Sequence, residues 1–327
     1  MQFQEGLEAQ PDVLAQSAKA VRLKLPTVKP IAPDALIALV GIGASEHVAR
    51  SAALSWRELG LHAFSVPASE LLAHPEAFAD VYVGLSESGR SAETVAVLKK
   101  ISAHRIGITN FADAPIVDVV EDLLLLESGP DSPVYTTGYT ATLQALGMLG
   151  EHLAGQYSDW SSLPNLASSV IASARPIIES VLEQFDKARV IDVVGSSTSS
   201  STAGEGALLL REAARVFTST HETLNYLHGP MEPLEAEAAC IIIGDGREIR
   251  LAREVSELGC PTLLITTRTD IETTALLSVI QIPTAPSPMA LNILQILPIQ
   301  LLGSLLATRR GLKVDGFRYK QDDTKLD

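Results

Sequence analysis

The sequence predicts an α/β protein made of two similar units, each a mostly parallel sheet flanked by helices. Short apolar runs alternate with segments of helical periodicity, which is the order that produces parallel strands covered by helices. This pattern occurs twice in the sequence. A Gly-Ile-Gly-Ala-Ser turn at 41–45 follows one apolar run, and a Gly-Ser-Ser-Thr-Ser turn at 195–199 follows another. With 327 residues, of which 46% are hydrophobic and only 5% aromatic, the chain is too long for one typical core.

The first unit follows an N-terminal helix over 6–22 and a connector over 25–34 that contains three prolines. Its strands are short apolar runs, predicted at 35–40, 81–85, 105–109 and 123–127. Its helices are predicted from the turn at 41–45 to residue 59, over 95–101 and over 139–153. Strand and helix alternate through this unit, as they do in a parallel sheet.

A polar stretch at 156–164 precedes the second unit. Helices over 166–185 and 291–309 begin and end this unit, and its strands are predicted at 190–194, 240–243, 262–266 and 279–282. Aligning the two glycine turns places Glu212 of the second unit on Glu58 of the first, which favours a duplicated design. We therefore predict four segments: a helix and connector over 1–34, a first domain over 35–155, a linker helix and second domain over 156–310, and a tail over 311–327.

Composition and charge exclude several classes of protein. The formal net charge of −14 argues against nucleic acid as a partner, since its recognition requires a basic face. Two cysteines form no disulfide framework and fit a reducing cytoplasm, and residues 1–16 lack the basic and apolar regions of a secretory leader. The apolar segment 291–307 contains amides and a proline, which favours a buried helix and not a membrane span. No metal-ligand spacing occurs, and we expect neither a metal nor a cofactor.

The most informative stretch is 86–95, Ser-Glu-Ser-Gly-Arg-Ser-Ala-Glu-Thr-Val, between a predicted strand and a predicted helix. Ser86, Ser88 and Ser91 supply hydroxyl groups there, the first N–H groups of the helix have no partner within it, and the helix dipole favours an anion. Gly89 allows the backbone to approach a ligand closely. The stretch therefore indicates a phosphate-binding turn without a lysine; an ordinary serine-capped helix is the alternative.

The second unit lacks such a hydroxyl cluster and carries two other candidates. Glu205 and Glu212 lie seven residues apart, on one face of a predicted helix. The neighbours of Glu212 are mostly apolar, so burial would raise its pKa towards that of a useful base; pairing with Arg211 or Arg215 at the surface is the alternative. His228 precedes Gly-Pro in an exposed turn and is a candidate acid–base group.

Together these motifs resemble the double sugar-isomerase (SIS) domain family, which includes the isomerase half of glucosamine-fructose-6-phosphate synthase and related phosphosugar isomerases and deaminases. The resemblance covers roughly residues 35–318. It rests on Gly-x-Gly-x-Ser at 41–45, Ser-x-Ser-Gly-x-Ser at 86–91, Glu-Gly-Ala-x-x-x-x-Glu at 205–212 and His-Gly-Pro at 228–230. It implies two flavodoxin-like domains, each a mostly parallel sheet flanked by helices, in a homodimer.

The resemblance also implies a role for each matched residue. The implied substrate-binding residues are mostly hydroxyl residues: Ser45, Ser86, Glu87, Ser88, Ser91 and Thr137. Glu212 would move a proton between C1 and C2 of the sugar. His228 would help to open the sugar ring, in the site of the partner subunit. A lysine of the C-terminal tail would take part as well, and Lys320 and Lys325 are the candidates.

Four positions depart from the family pattern. Asn225 replaces the glutamate that is common before the His-Gly-Pro. Glu87 stands where relatives usually have glutamine or another uncharged or basic residue. Leu209 replaces a lysine one turn before the proposed base. Asp322 occupies the unshifted position of the C-terminal lysine, which leaves the source of that lysine open.

The sequence therefore predicts a cytoplasmic isomerase that interconverts the aldose and ketose forms of an anionic hexose, foremost a sugar 6-phosphate, through an enediol. Three alternatives stay open. The first is a deaminase or deglycase of amino-sugar phosphates. The second is an isomerase of a sulfonated sugar such as sulfoquinovose, and the third is a non-catalytic sensor of sugar phosphates.

Overall fold

The computed structural model describes residues 1–75, 77–314, 316–319 and 321–326, and within them the chain forms two five-stranded parallel sheets with helices around them. The first half contains α1 (Phe3–Lys24), β1 (Leu36–Gly41), α2 (Ala44–Glu58), β2 (His62–Pro67), α3 (Ala68–Ala73), β3 (Val81–Leu85), α4 (Ala92–Lys100), β4 (His104–Thr109), β5 (Asp122–Leu125) and α5 (Thr137–Leu153). The second half contains α6 (Leu163–Lys187), β6 (Val190–Gly195), α7 (Ser199–Ala214), β7 (Thr218–Glu222), α8 (Thr223–Tyr226), β8 (Ala238–Ile243), α9 (Arg247–Glu257), β9 (Thr262–Thr266), β10 (Leu277–Gln281) and α10 (Pro288–Arg309).

Both sheets have the same strand order, β2-β1-β3-β4-β5 in the first and β10-β9-β8-β6-β7 in the second. In each unit the first strand lies between the second and the third, which is the flavodoxin-like order. The predicted fold class is confirmed. In such sheets ligands bind at the carboxyl ends of the strands where the strand order reverses, which is between β1 and β3 in the first sheet.

The central strands are apolar because helices cover both faces of each sheet. Every residue of β3 and of β8 is buried, as expected for strands between two helical layers. Sequence patterns missed the edge strands β2 and β7. Their sequences, His-Ala-Phe-Ser-Val-Pro and Thr-Ser-Thr-His-Glu, contain no continuous apolar run, since most of their residues are only partly buried.

The predicted apolar helix near the end of the chain is α10. It is long and apolar enough to cross a membrane, yet 89% of its apolar 18-residue window is buried inside the fold. It packs against α5, α6 and α7. Its polar side chains have partners in the core: Gln10 Nε2 donates to Gln300 Oε1 at 2.9 Å, and Asn292 Nδ2 donates to Thr202 Oγ1 at 2.8 Å. The prediction of a buried helix is confirmed.

The N-terminal helix contributes to the core of both units. α1 lies against α5 and α6, and it buries Phe3, Leu7 and Leu14. α2 and α7 also pack against each other, so that the second unit covers the crevice of the first sheet. The predicted division of the chain into domains stays a prediction.

Candidate active site

A cavity of about 350 Å³ lies at the carboxyl end of the first sheet, where β1 and β3 meet. Its walls come from the turn after β1, the serine-rich turn after β3, helix α7 and the C-terminal tail. The residues that matter for its chemistry are Ser45, Glu87, Ser91, Tyr135, Glu212 and Lys325. Five of these six were predicted as site residues, and the fold brings them to one cavity from distant parts of the chain.

The turn from Ser86 to Ser91 is held by its own hydroxyl groups. Ser86 Oγ lies 3.0 Å from Ser91 Oγ and accepts a hydrogen bond from the Ser91 N–H at 3.2 Å. Gly89 has a φ of +64°, and a Cβ there would lie 2.4 Å from the Cβ of Ala114, so a larger residue would displace the backbone. Ser86 therefore shapes the turn from behind, while Ser91 lines the cavity.

The C-terminal tail pairs with this turn through an isolated antiparallel β-bridge between Ser91 and Lys325. The Ala92 N–H donates to the Thr324 carbonyl at 3.2 Å, and the Leu326 N–H donates to the Arg90 carbonyl at 2.8 Å. This pairing directs Lys325 into the cavity, where its Nζ donates to Ser88 Oγ at 2.9 Å and lies 3.4 Å from Tyr135 Oη.

Glu87 is buried in the serine-rich turn over 86–91, where the residue is only 7% exposed. Asn110 Nδ2 donates to its Oε1 at 3.1 Å, and Tyr135 and Lys325 lie close to its carboxyl group. Burial, reinforced by the nearby Asp131 carboxylate, raises the pKa of Glu87 to about 7. Near neutral pH the carboxyl group is therefore protonated in about half of the molecules, which weakens its repulsion of a bound anion.

The raised pKa of Glu87 predicts a pH-dependent stability. The folded state holds this proton more tightly than the unfolded chain, so the stabilisation is complete below pH 4.5 and is lost as pH rises through about 7. The wild type should therefore lose roughly 3 kcal/mol of unfolding free energy across this window relative to Glu87→Gln. Urea denaturation of both proteins at pH 4.5, 6 and 8 measures this loss of unfolding free energy. If the unfolding free energies of the two proteins change in parallel with pH, the assigned pKa is contradicted.

Glu212 reaches the same cavity from the second unit. Burial raises its pKa to about 7, and no ion pair links it to Arg211 or Arg215 in the described part of the chain. The alternative of a surface glutamate paired with arginine is therefore not observed. Glu205 lies two turns earlier on α7 and is buried, and burial together with the Glu212 charge raises its pKa well above the usual range.

Of the remaining predicted residues, two do not line the cavity and one is not among the residues that the structure describes. His228 is exposed in the turn that follows α8. Thr137 is fully buried in the first turn of α5, and its hydroxyl has no hydrogen-bond partner among the described residues. Lys320 lies outside the described residues. The roles of these three residues stay predictions.

Sequence reasoning missed three side chains around the cavity. Tyr135 lines it, and Asn110 holds the carboxyl group of Glu87. His47 of α2 lies against Gly204 of α7, where a Cβ would come within 2.5 Å of the imidazole ring. Burial lowers the pKa of His47 to about 4, so the ring is neutral at physiological pH. No motif marks these residues, because each acts through a contact between distant segments.

Comparison with known proteins shows which proteins this chain resembles in sequence and in fold. Residues 184–306 match the family model described as SIS domain. A glutamine–fructose-6-phosphate aminotransferase (isomerizing) of Thermus thermophilus is 26% identical over 255 residues, which cover 71% of this chain and 42% of that protein. The chain thus spans about two fifths of the length of the curated relatives it matches. Residues 184–306 therefore carry a SIS domain, and the chain is similar in sequence to these aminotransferases.

Solved structures support the fold across nearly the whole chain. Glucosamine-6-phosphate deaminase from Thermotoga maritima superposes with a TM-score of 0.84 at 21% identity and covers 98% of both chains. Tagatose-6-phosphate ketose/aldose isomerase from Escherichia coli superposes with a TM-score of 0.78 at 17% identity and covers 98% of this chain and 96% of its own. These two neighbours share the doubled flavodoxin-like architecture.

Proposed function

We propose that this protein is an aldose–ketose isomerase of an anionic hexose, with a sugar 6-phosphate as the leading substrate. One observation carries the proposal: Glu212, with a pKa of about 7, lines the same cavity as the serine turn and Lys325. A carboxylate base for carbon-bound protons and a binding site for a remote anion are the two elements that this reaction requires.

In the proposed reaction each of these groups has a task. Ser88, Ser91 and Lys325 hold the anionic end of the sugar, and that remote binding fixes the reacting carbons beside Glu212. Glu212 removes a proton from the carbon next to the carbonyl, which gives an enediol, and returns it to the neighbouring carbon. A pKa near 7 keeps enough carboxylate to accept the proton and enough acid to return it.

Proton exchange with solvent tests the proposal directly. Hexose 6-phosphates incubated with the protein in deuterium oxide should acquire deuterium at C1 or C2, as read by NMR, and should interconvert between aldose and ketose. A sugar-phosphate sensor would bind the same ligands, shown by a thermal shift, without exchange. Binding without exchange across a panel of hexose 6-phosphates would therefore replace the isomerase proposal by the sensor.

Deamination or deglycation of an amino-sugar phosphate is the second candidate. It is favoured by likeness to the aminotransferases and to the deaminase from Thermotoga maritima, and it uses the same proton transfer before a C–N bond breaks. Release of ammonia or of a free amino acid from a conjugated sugar separates this reaction from simple isomerisation.

Glu87 provides a test of which anion is bound. Two unit charges 4 Å apart repel by roughly 4 kcal/mol at an effective dielectric of 20, so an ionised Glu87 disfavours a phosphate dianion more than a sulfonate monoanion. At pH 8.5, well above the pKa of about 7, Glu87→Gln should improve affinity for a hexose 6-phosphate about tenfold more than for the 6-sulfonate of the same sugar. At pH 5.5 the difference should shrink. Titration calorimetry measures both affinities. If Glu87→Gln improves the affinity for the two ligands by the same factor at both pH values, the support for a sulfonated substrate is lost.

His228 provides a test of assembly. It is exposed and does not line the cavity that contains Glu212, which is compatible with a role in the site of a second copy. We propose a homodimer in which the two residues meet across the interface. Mixing inactive Glu212→Gln with inactive His228→Ala should then restore activity, up to about a quarter of the wild-type value for random exchange of subunits with one intact site per mixed dimer. Confirmed subunit exchange without any recovery would contradict the shared site.

A further inference from the structure

Glu205 of α7 lines the same cavity as Glu212 and is buried more deeply, with only 3% of the residue exposed. Its Oε2 has no hydrogen-bond partner among the residues that the structure describes. Buried polar atoms in proteins nearly always have a partner, because leaving one unpaired destabilises the fold. A buried carboxyl group at the wall of a cavity, with one oxygen unpaired, therefore indicates a polar group of a ligand.

The packing of α7 fixes the direction of the Glu205 side chain. A Cβ at Gly204 would lie 2.5 Å from the imidazole ring of His47 in α2, and one at Gly206 would lie 2.8 Å from Ile299 in α10. Both neighbouring helices thus pack directly against the backbone of α7. Successive residues of a helix point about 100° apart, so residue 205 projects between these two contacts, on the side of the cavity.

The surroundings of Glu205 keep its carboxyl group neutral. It forms no ion pair within the described ranges of the chain, and Leu209 one turn later is apolar. The imidazole of His47 is uncharged, because burial lowers its pKa to about 4. Burial and the Glu212 charge raise the pKa of Glu205 well above the usual range, and burial likewise raises the pKa of the nearby Tyr139 phenol. A neutral carboxyl group can donate one hydrogen bond and accept another.

The spacing along α7 decides which part of the sugar meets Glu205. Glu205 and Glu212 are seven residues apart, so they share one face of the helix and lie about 10 Å apart along its axis. Their side chains lean in the same direction, which keeps the two carboxyl groups well separated. This separation is too large for both groups to act on C1 and C2, which are one bond apart. It fits a hydroxyl group further along the chain, at C4 or C5.

We propose that Glu205 is a specificity-determining residue whose neutral carboxyl group binds the hydroxyl group at C4 or C5 of the sugar. A hydroxyl group and a carboxylic acid match, since each donates one hydrogen bond and accepts another. A buried group that pairs with a substrate hydroxyl rejects analogues without it, because the protein group is then left unpaired. The inference rests on the proposed function, since the orientation of the sugar takes Glu212 as the base at C1 and C2.

A double-mutant cycle between protein and ligand tests the inference. Calorimetry measures the affinity of the wild type and of Glu205→Leu for fructose 6-phosphate and for its 4-deoxy and 5-deoxy analogues. Leucine has a similar size but no polar atom, so the variant should bind the parent sugar at least tenfold more weakly. For one of the two analogues the substitution should leave the affinity unchanged. Each comparison uses one ligand with two proteins, so differences in the ring form of the free sugars cancel.

Two further variants sharpen this cycle. Glu205→Gln should retain most of the affinity for the parent sugar, because an amide also donates and accepts. Glu58→Leu makes the same substitution at an exposed position outside the cavity and should bind all three ligands as the wild type does. Circular dichroism checks folding, and Glu205→Ala gives the same measurement if leucine prevents it.

The outcomes separate this inference from the proposed function. Unchanged affinity of Glu205→Leu for the parent sugar would overturn the inference, and so would an equal loss for all three ligands. If fructose 6-phosphate still exchanges its protons with solvent in either case, the isomerase proposal stands alone. If the expected cycle is found without proton exchange, Glu205 selects the ligand of a sugar-phosphate sensor. If no ligand binds and none exchanges protons, both proposals fall.

Discussion

Glu212→Gln should lower turnover of the anionic hexose by about 10²–10⁴-fold, the usual contribution of a general acid–base group. Glutamine has nearly the same shape but cannot accept a proton from carbon. Because the serine-rich turn that we propose as the anion site belongs to the other unit, the affinity for a hexose 6-phosphate should stay close to that of the wild type. Single-turnover rates, proton exchange and calorimetry on the same preparation measure both effects.

The internal repeat supplies a matched control for this prediction. Glu58 occupies the equivalent position in the first unit, at the end of α2, and is exposed outside the cavity. Glu58→Gln should leave turnover near the wild-type value. Near-normal turnover in Glu212→Gln, or equal losses in the two variants, would contradict the assignment of the base.

The pKa of Glu212 adds a pH dependence to the same prediction. A base acts in its ionised form, so kcat/KM should rise with pH through about 7 and level off above it, until another group titrates. Without burial the rise would fall near the ordinary glutamate pKa, more than two units lower. A rise centred below pH 5 would show that Glu212 is solvated in the working enzyme or is not the base.

The parts of the site that sequence could predict are local. Ser86, Gly89 and Ser91 lie within six residues at the end of an apolar run, so their turn follows from strand and helix signals alone. Glu212 was recognisable because a carboxylate stands in an apolar stretch and at a family position. Both predictions needed only local sequence patterns and, for Glu212, the resemblance to the family.

The parts that sequence could not predict depend on long-range contacts. Lys325 meets Ser88 across 237 positions of sequence, and the pairing of the tail depends on backbone hydrogen bonds that carry no sequence signature. The sequence therefore left Lys320 and Lys325 as equal candidates. The partners of Glu87 were equally hidden, because Asn110, Tyr135 and Lys325 reach it from distant parts of the chain.

Leu209 shows how a departure from the family changes the charge of the site. The resemblance implied a lysine at this position of α7, and the leucine there is fully buried against Gly303 of α10. Helix α7 therefore offers no lysine to the cavity. Among the described residues that line the cavity, Lys325 is the single cation, while Glu87, Glu93, Glu205 and Glu212 are acidic.

Lys325→Met should therefore weaken binding of a hexose 6-phosphate by about 10–100-fold, which is the usual range for one charge-assisted contact to phosphate. Desolvation lowers the pKa of Lys325 against the attraction of Glu87 and Glu93. Methionine retains the aliphatic stem, and the tail should stay docked because its pairing with the serine turn uses backbone groups. Calorimetry measures the affinity, and steady-state kinetics separate KM from kcat.

Lys99, exposed at the end of α4, gives a control with the same charge change outside the cavity. Lys99→Met should bind the sugar phosphate as the wild type does, which removes net charge as an explanation. A loss confined to kcat in Lys325→Met, together with borohydride-dependent labelling of the wild type by the sugar, would assign Lys325 to covalent chemistry at the carbonyl carbon. Unchanged affinity and unchanged turnover would show that the lysine only anchors the tail, and the anion would then depend on the serine hydroxyls and the N-terminus of α4 alone.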